Sequence, residues 1–411
     1  MTQHTVDGAT SVLSPTGADP ATGRLPGRGQ AIILLLASCL SVLGAVLLAP
    51  VLPTLQAAFA GTPGVEALAP LVLTAPALMI GLLAPVAGRI VDAVGRKRLL
   101  VGALLVYSLV GTAPLWLDSL PLVLVSRVGV GITEAAIMTC CTTLIADYFA
   151  GRDRDRYFGM QTVYTTLSAT AFFAVGGALG GSGWRAPFWL YLVSLPLAVL
   201  VALFIWQPAR PVSTAERAPL PPAPWRQLAA PVGVTLFGGV AFYALIVELS
   251  YVLNDIGITS TATIGAISAV SSLATAAGAF TFGRVAGRGP AVLLPMAFGA
   301  IGVGLVVLAL GSNVPVVLVG AVVAGYGSGM LLPTLLTWAL SPLTFAQRGR
   351  GTGLWTSALF LGEFVCPLVV IAIGTALNGL SSALGVVGAG ALLMALLVRL
   401  AKPHSTKHTA P

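Results

Sequence analysis

The chain has 411 residues, 57% of them hydrophobic and only 8% charged, with a net charge of +8 and a mean hydropathy of +0.96. Soluble domains carry about 25% charged residues, so this composition excludes a water-borne globule and defines a polytopic membrane protein. The basic residues are spread along the chain and form no single face outside the membrane, which excludes nucleic acid as a partner. Alternating ten-residue texture is absent from the apolar segments, so helices are expected rather than an outer-membrane barrel.

In chain order, residues 1–30 read as a polar, disordered cytoplasmic tail, without the basic start and apolar core of a signal peptide. Spanning helices need about 20 mostly apolar residues. Twelve candidates follow, over 31–55, 67–90, 98–117, 121–146, 158–181, 186–206, 230–252, 262–284, 290–311, 314–340, 351–375 and 379–401. The longest polar connection, 207–229, holds six prolines. It divides an N-terminal six-helix half, 31–206, from a C-terminal half, 230–401. A second cytoplasmic tail covers 402–411.

Lysine and arginine concentrate on the cytoplasmic side of a membrane. With both termini inside, 19 of the 21 basic residues fall in inner segments, the exceptions being Arg127 within the fourth span and Arg185 in an outer turn. The count of twelve and the orientation support each other, since one missed span would invert half of the assignment. Gly88-Arg89 after the second span has a counterpart in Gly283-Arg284 after the eighth, a trace of internal duplication of the kind common in secondary transporters.

Cys39, Cys140, Cys141 and Cys366 lie in apolar spans without metal-ligand spacing and read as packing residues. His4, His404 and His408 all lie in the tails, so no intramembrane histidine is expected to relay protons. The chain has no phosphate-cradling glycine loop and no soluble domain large enough for an ATPase. No cofactor, metal or enzymatic chemistry is therefore expected, and the driving force must be a gradient such as that of protons.

Ionisable residues inside spans are costly, at least ~2.5–3.5 kcal/mol each, and so are candidates for function. Arg127 and Glu134 occupy the fourth span seven residues apart, on one helix face and about 10 Å apart along the axis. Arg127 has an alternative role as a strut bonding backbone carbonyls of a neighbouring helix. Glu134 fits a proton carrier, because a carboxyl in a partly dry cavity can be tuned to cycle a proton near neutral pH; it could equally attract a cationic solute. Glu363, in Gly362-Glu363-Phe364, sits deep in the eleventh span and points to a cavity role. Glu248 in the seventh span suits either a cavity or a boundary position near the outer surface. Aromatic residues including Tyr107, Tyr164, Tyr243, Trp338 and Trp355 rank lower, since most membrane aromatics face lipid or the interfaces.

Between the second and third spans runs Gly88-Arg89-Ile90-Val91-Asp92-Ala93-Val94-Gly95-Arg96-Lys97-Arg98. This segment resembles the loop between helices 2 and 3 of the major facilitator superfamily, roughly G-x-x-x-D-R-x-G-R-[RK]-[RK], with Ala93 in place of the usual Arg. The resemblance continues through Arg127-Val128-Gly129-Val130-Gly131 in the fourth span. In the fifth, Gly176-Gly177-Ala178-Leu179-Gly180-Gly181 followed by Trp184-Arg185 is similar to the antiporter segment G-P-x-x-G-G, with Gly177 for Pro. It also covers the glycine-rich run Gly325–Gly329 in the tenth span.

This resemblance spans nearly the whole chain and implies an all-α membrane fold of twelve helices in two halves that rock around a central site. It implies that Gly88, Asp92, Gly95, Arg96, Lys97 and Arg98 form a conformational latch, and that Gly176, Gly177, Gly180 and Gly181 let the fifth helix bend. It further implies a bacterial drug/proton antiporter-like exporter, a multi-pass, monomeric protein of the cell membrane. Glu134 would carry the proton, modulated by Arg127, with Glu363 and Glu248 in reserve. Cavity acids with few cavity bases suggest a lipophilic, cationic or neutral solute. An uptake symporter or facilitator for a metabolite is the alternative, disfavoured because the spans are poor in Asn and Gln. A receptor or scaffold would need neither Glu134 nor Glu363.

Overall fold

In the computed structural model, residues 17–20, 22–208, 225–344 and 347–401 are described. The three segments expected to be a disordered tail, a linker and a second tail lie largely outside them. All regular structure among the described residues is helical.

Twelve helices are long and apolar enough to cross a membrane. We label them α1 (Arg28–Ala58), α2 (Val65–Val94), α3 (Arg96–Leu115), α4 (Leu120–Tyr148), α5 (Gly151–Gly180), α6 (Ala186–Phe204), α7 (Arg226–Asp255), α8 (Thr261–Arg288), α9 (Pro290–Ala309), α10 (Val314–Leu340), α11 (Arg348–Leu377) and α12 (Leu380–Ala401). An even number of crossings puts residues 28 and 401 on one side, here called the terminal side.

Local chemistry sets the boundaries. Ser119, Ser260 and Asn313 cap α4, α8 and α10 by accepting from the backbone N–H groups of Leu122, Thr263 and Val316 at 3.4, 3.3 and 3.1 Å, which serves donors that a helix start leaves without partners. The junction of α2 and α3 is a single residue, Gly95, at φ +94°, a conformation that costs glycine little. Gly289 repeats the device between α8 and α9 at φ +75°. The Gly88–Asp92 segment, expected in a loop, is the last part of α2 itself.

Helix α1 is interrupted. Its α-helix ends at Val46, a 3-10 turn covers Ala49–Val51, and helix resumes over Leu52–Ala58. Pro50 and Pro53 cause this, since neither has an N–H to give to a carbonyl one turn back.

Within the N-terminal half α4 packs on α2 and α3, and α1 on α5; within the C-terminal half α9 packs on α10 and α12, α10 on α8, and α7 on α11. The halves meet along two seams, α2 against α11 and α5 against α8. Both seams are built from small residues, as expected where lipid removes the hydrophobic drive and close van der Waals contact must hold helices together. A Cβ on Gly177 of α5 would lie 2.8 Å from the Gly265 Cα of α8, and one on Gly81 of α2 would lie 3.3 Å from the Ser357 carbonyl oxygen of α11. Among the described residues, four hydrogen bonds cross between the halves in the interior: Ser357 Oγ to Gly81 O (2.7 Å), Thr261 Oγ1 to Gly177 O (2.9 Å), Thr170 Oγ1 to Ser272 Oγ (2.9 Å) and Tyr243 Oη to Ala45 O (2.8 Å).

Candidate functional site: a central cavity and a buried polar cluster

Where α1, α5, α7, α8, α10 and α11 converge they leave a cavity of about 280 Å³. Its walls are mostly apolar, with Val42, Val46, Phe173, Phe242, Leu249 and Phe360 among them, and carry a set of hydroxyl side chains. One ionisable carboxyl lines it, Glu363, and no lysine, arginine or histidine does. Glu363 is only 4% exposed and makes no hydrogen bond or ion pair among the described residues.

Glu248 is equally buried, at 4%, which is not the exposure of a snorkelling boundary acid. It is not among the cavity-lining residues, although Leu245 and Leu249 on either side of it are. Tyr251, one turn on, has a buried hydroxyl without a partner.

Arg127 and Glu134 lie elsewhere, in the packed core of the N-terminal half. Arg127 is fully buried and Glu134 1% exposed, and neither lines the cavity. Both converge on the interrupted helix α1. Glu134 Oε1 accepts from the Gly44 backbone N–H at 3.0 Å, and Arg127 Nη2 donates to the Gly44 carbonyl at 3.2 Å. Arg127 also donates Nε to the Val72 carbonyl of α2 at 3.1 Å and Nη1 to the Tyr191 hydroxyl of α6 at 2.7 Å. The arginine thus ties α4 to three other helices. Gly44 is required here, because a Cβ would collide with the Glu134 carboxylate.

Tyr107 of α3 completes the cluster. Its hydroxyl stands 2.9 Å from the Leu40 carbonyl and 3.2 Å from Glu134 Oε1, and its ring packs on Tyr191 with centroids 5.0 Å apart. A hydroxyl has one hydrogen, so the protonation state of Glu134 decides which of these oxygens receives it.

The seam to the other half is one residue away. Ala45, next to Gly44, accepts the Tyr243 hydroxyl bond from α7, and both Ala45 and Tyr243 line the cavity. An unbroken path of short contacts therefore runs from Glu134 through α1 to the cavity. Tyr243 is ranked low by the sequence and Tyr191 is not singled out there; a tyrosine inside a span with a hydroxyl to satisfy is the available signal.

At the terminal end of α2, Arg96 pairs with Asp92 at 3.3 Å and also with Asp147 at the end of α4. The Lys97 backbone N–H donates to Gln207 Oε1 at 3.2 Å. Gly95 has the special backbone angle expected of it, whereas Gly88 has open space around it and serves no close approach. In α5 the glycines sit at close helix contacts. The helix runs continuously to Gly180, with Gly181 as its C-terminal cap. Gly176 abuts the Leu47 carbonyl of α1, and Gly180 abuts Val51 and Thr261. On the far side Arg185 stacks on Trp184 at 4.4 Å and bonds the Pro114 and Leu117 carbonyls and Asp118, which fixes the start of α6 to the end of α3.

The sequence profile of the Major Facilitator Superfamily matches residues 34–249 and 232–411, and the chain belongs to that family. It is accordingly a transporter and not an enzyme, a multi-pass membrane protein that binds a small-molecule substrate and needs no cofactor. Among its relatives, the 3-(3-hydroxy-phenyl)propionate transporter of Escherichia coli (strain K12) is 25% identical over 78% of this chain and 83% of its own. The class C tetracycline resistance protein of Escherichia coli is 31% identical over 46% of this chain and 47% of its own. The crystal structure of a D-xylose–proton symporter superposes with a TM-score of 0.72 at 15% identity, covering 93% of this chain and 99% of that one, which shows the shared fold.

Proposed function

We propose that this protein is a secondary transporter that exports a small lipophilic solute, cationic or neutral, in exchange for protons by alternating access. The observation that carries the reading is the cavity between the halves, mostly apolar and holding one buried, unpaired carboxyl. An apolar wall suits a lipophilic cargo. The similarity to a resistance protein against tetracycline supports export.

Proton coupling is assigned to Glu134. Gaining a proton there redirects the Tyr107 hydrogen and weakens the acceptor that holds the Gly44 N–H. The change acts on α1 beside Ala45, where Tyr243 ties the halves together. Arg127 anchors the same residue through its carbonyl, in the next peptide unit, so the cluster moves α1 as a unit. The hairpin pairs of Arg96 would act as a latch on the terminal side, which is cytoplasmic in this reading because it carries nearly all the lysine and arginine. The working unit is the monomer.

Ethidium efflux from cells making the protein tests this. Efflux should stop with a protonophore and fall to background in Glu134→Gln. Efflux that persists with the protonophore would reject proton drive; persistence in the variant alone would move the coupling to Glu363 or Glu248. A second reading, uptake of a metabolite, draws on the 3-(3-hydroxy-phenyl)propionate transporter; accumulation of that acid by the protein-making cells would favour it.

A further inference from the structure

The polarity of the cavity wall has a definite sign. Among its hydroxyls, Ser41 donates to the Ser38 carbonyl at 2.7 Å, Thr165 to Gln161 O at 3.0 Å and Thr166 to Thr162 O at 2.8 Å. Across the cavity, Ser271 donates to Ala321 O at 3.0 Å, Thr275 to Ser271 O at 3.2 Å, Ser328 to Ala324 O at 2.8 Å and Tyr243 to Ala45 O at 2.8 Å. A carbonyl can only accept, so in each of these bonds the hydroxyl hydrogen is already committed. What remains toward the cavity is oxygen lone pairs. Only Ser268 and Ser272, one turn apart on α8, reach no carbonyl.

Glu363 adds a carboxyl with no protein partner, and no cationic side chain lines the wall. Buried charge is costly unless paired, and apart from the Ser268 and Ser272 hydroxyls the described wall offers Glu363 no positive or donor-bearing partner. We infer that the cargo is a lipophilic amine bound as its ammonium, its N–H donors directed at Glu363 and at the lone pairs of the serine and threonine wall, and that carboxylate-bearing solutes are excluded. This deepens the exporter reading above and rests on its cavity, but it concerns binding, which needs neither a gradient nor a direction of transport.

A matched set of probes tests it on the detergent-solubilised full-length protein by titration calorimetry: 1-naphthylmethylamine, 1-naphthalenemethanol and 1-naphthoate. They share one ring system and differ in being cationic, neutral and anionic. The amine should bind about ten-fold or more tighter than the alcohol, the scale of a hydrogen bond to a charged group, and the naphthoate should not bind. In Glu363→Gln the amine should fall to the level of the alcohol, while unchanged alcohol binding shows that the cavity is intact. Naphthoate binding as tight as the amine, an amine affinity unchanged in Glu363→Gln, or no binding of any probe would each overturn the proposal. Amine selectivity without protonophore-sensitive efflux would reject the exporter reading and leave this one standing.

Discussion

At the scale of single residues, the buried polar cluster makes predictions that separate holding from coupling. Glu134 accepts from two buried groups, the Gly44 N–H and the Tyr107 hydroxyl. Glu134→Ala takes this acceptor from the Gly44 N–H, while the Tyr107 hydroxyl keeps the Leu40 carbonyl at 2.9 Å, and should cost about 1 kcal/mol, read as a lower melting temperature of the solubilised protein. Glu134→Gln keeps an acceptor oxygen and should melt close to the parent while losing proton-dependent efflux. Equal melting of the two variants would show that the carboxyl holds nothing. The sequence made the ionisable residues visible, because charges inside spans are rare and expensive. It could not show which of them shares the cavity: Arg127 and Glu134 lie on one helix face, and that face turns toward α1 rather than toward the other half. Tyr107 and Tyr243 stayed obscure because an intramembrane tyrosine facing lipid and one bonding a carbonyl look alike in one dimension.

Among the elements, α5 and the α2–α3 hairpin differ most from expectation. The α5 glycines resemble an antiporter segment with a kink, yet Gly177 stands where the family has proline and the helical hydrogen bonding is unbroken through it. Its role is the crossing with α8. Gly177→Val should overpack that crossing by about 1–3 kcal/mol, lowering both melting temperature and transport, whereas Gly159→Ala, where nothing lies within 4 Å, should change neither. In the hairpin, Arg96 is drawn to two acids of unlike exposure: the Asp92 side chain is 53% exposed and that of Asp147 25%. Exposed pairs contribute about 0–1 kcal/mol, so Asp92→Asn should leave thermal stability nearly unchanged. Arg96→Ala leaves the less exposed Asp147 without this partner and should destabilise more. Equal effects would mean that Asp92 carries the pairing.

For the whole molecule, the twelve spans and their order were legible because each is a long apolar run punctuated by glycine, proline and charge, and most observed boundaries fall within a turn or so of those expected. The terminal-side start of α5 is the exception: Gly151–Arg156 is charged, which reads as a loop, but it is helix that extends beyond the apolar run. How the halves meet was not legible, since contact between distant helices leaves no periodic signal. Orientation is open to a direct check. Because Cys39, Cys140, Cys141 and Cys366 are all buried, the parent should give little background with a membrane-impermeant maleimide. A cysteine at Gly61 or Ser182 should label in intact cells, and one at Gly287 only after permeabilisation; the reverse pattern would invert the topology. The four interior hydrogen bonds that join the halves set an energy scale of their own. Bonds of this kind between membrane helices average about 0.6 kcal/mol, so together they contribute roughly 2–3 kcal/mol. One proton moving down a potential of 100 mV delivers about 2.3 kcal/mol. The polar part of the clasp between the halves is therefore of the same size as the work of carrying one elementary charge across that potential, so under the proposed proton drive these bonds alone would not hold the seam shut.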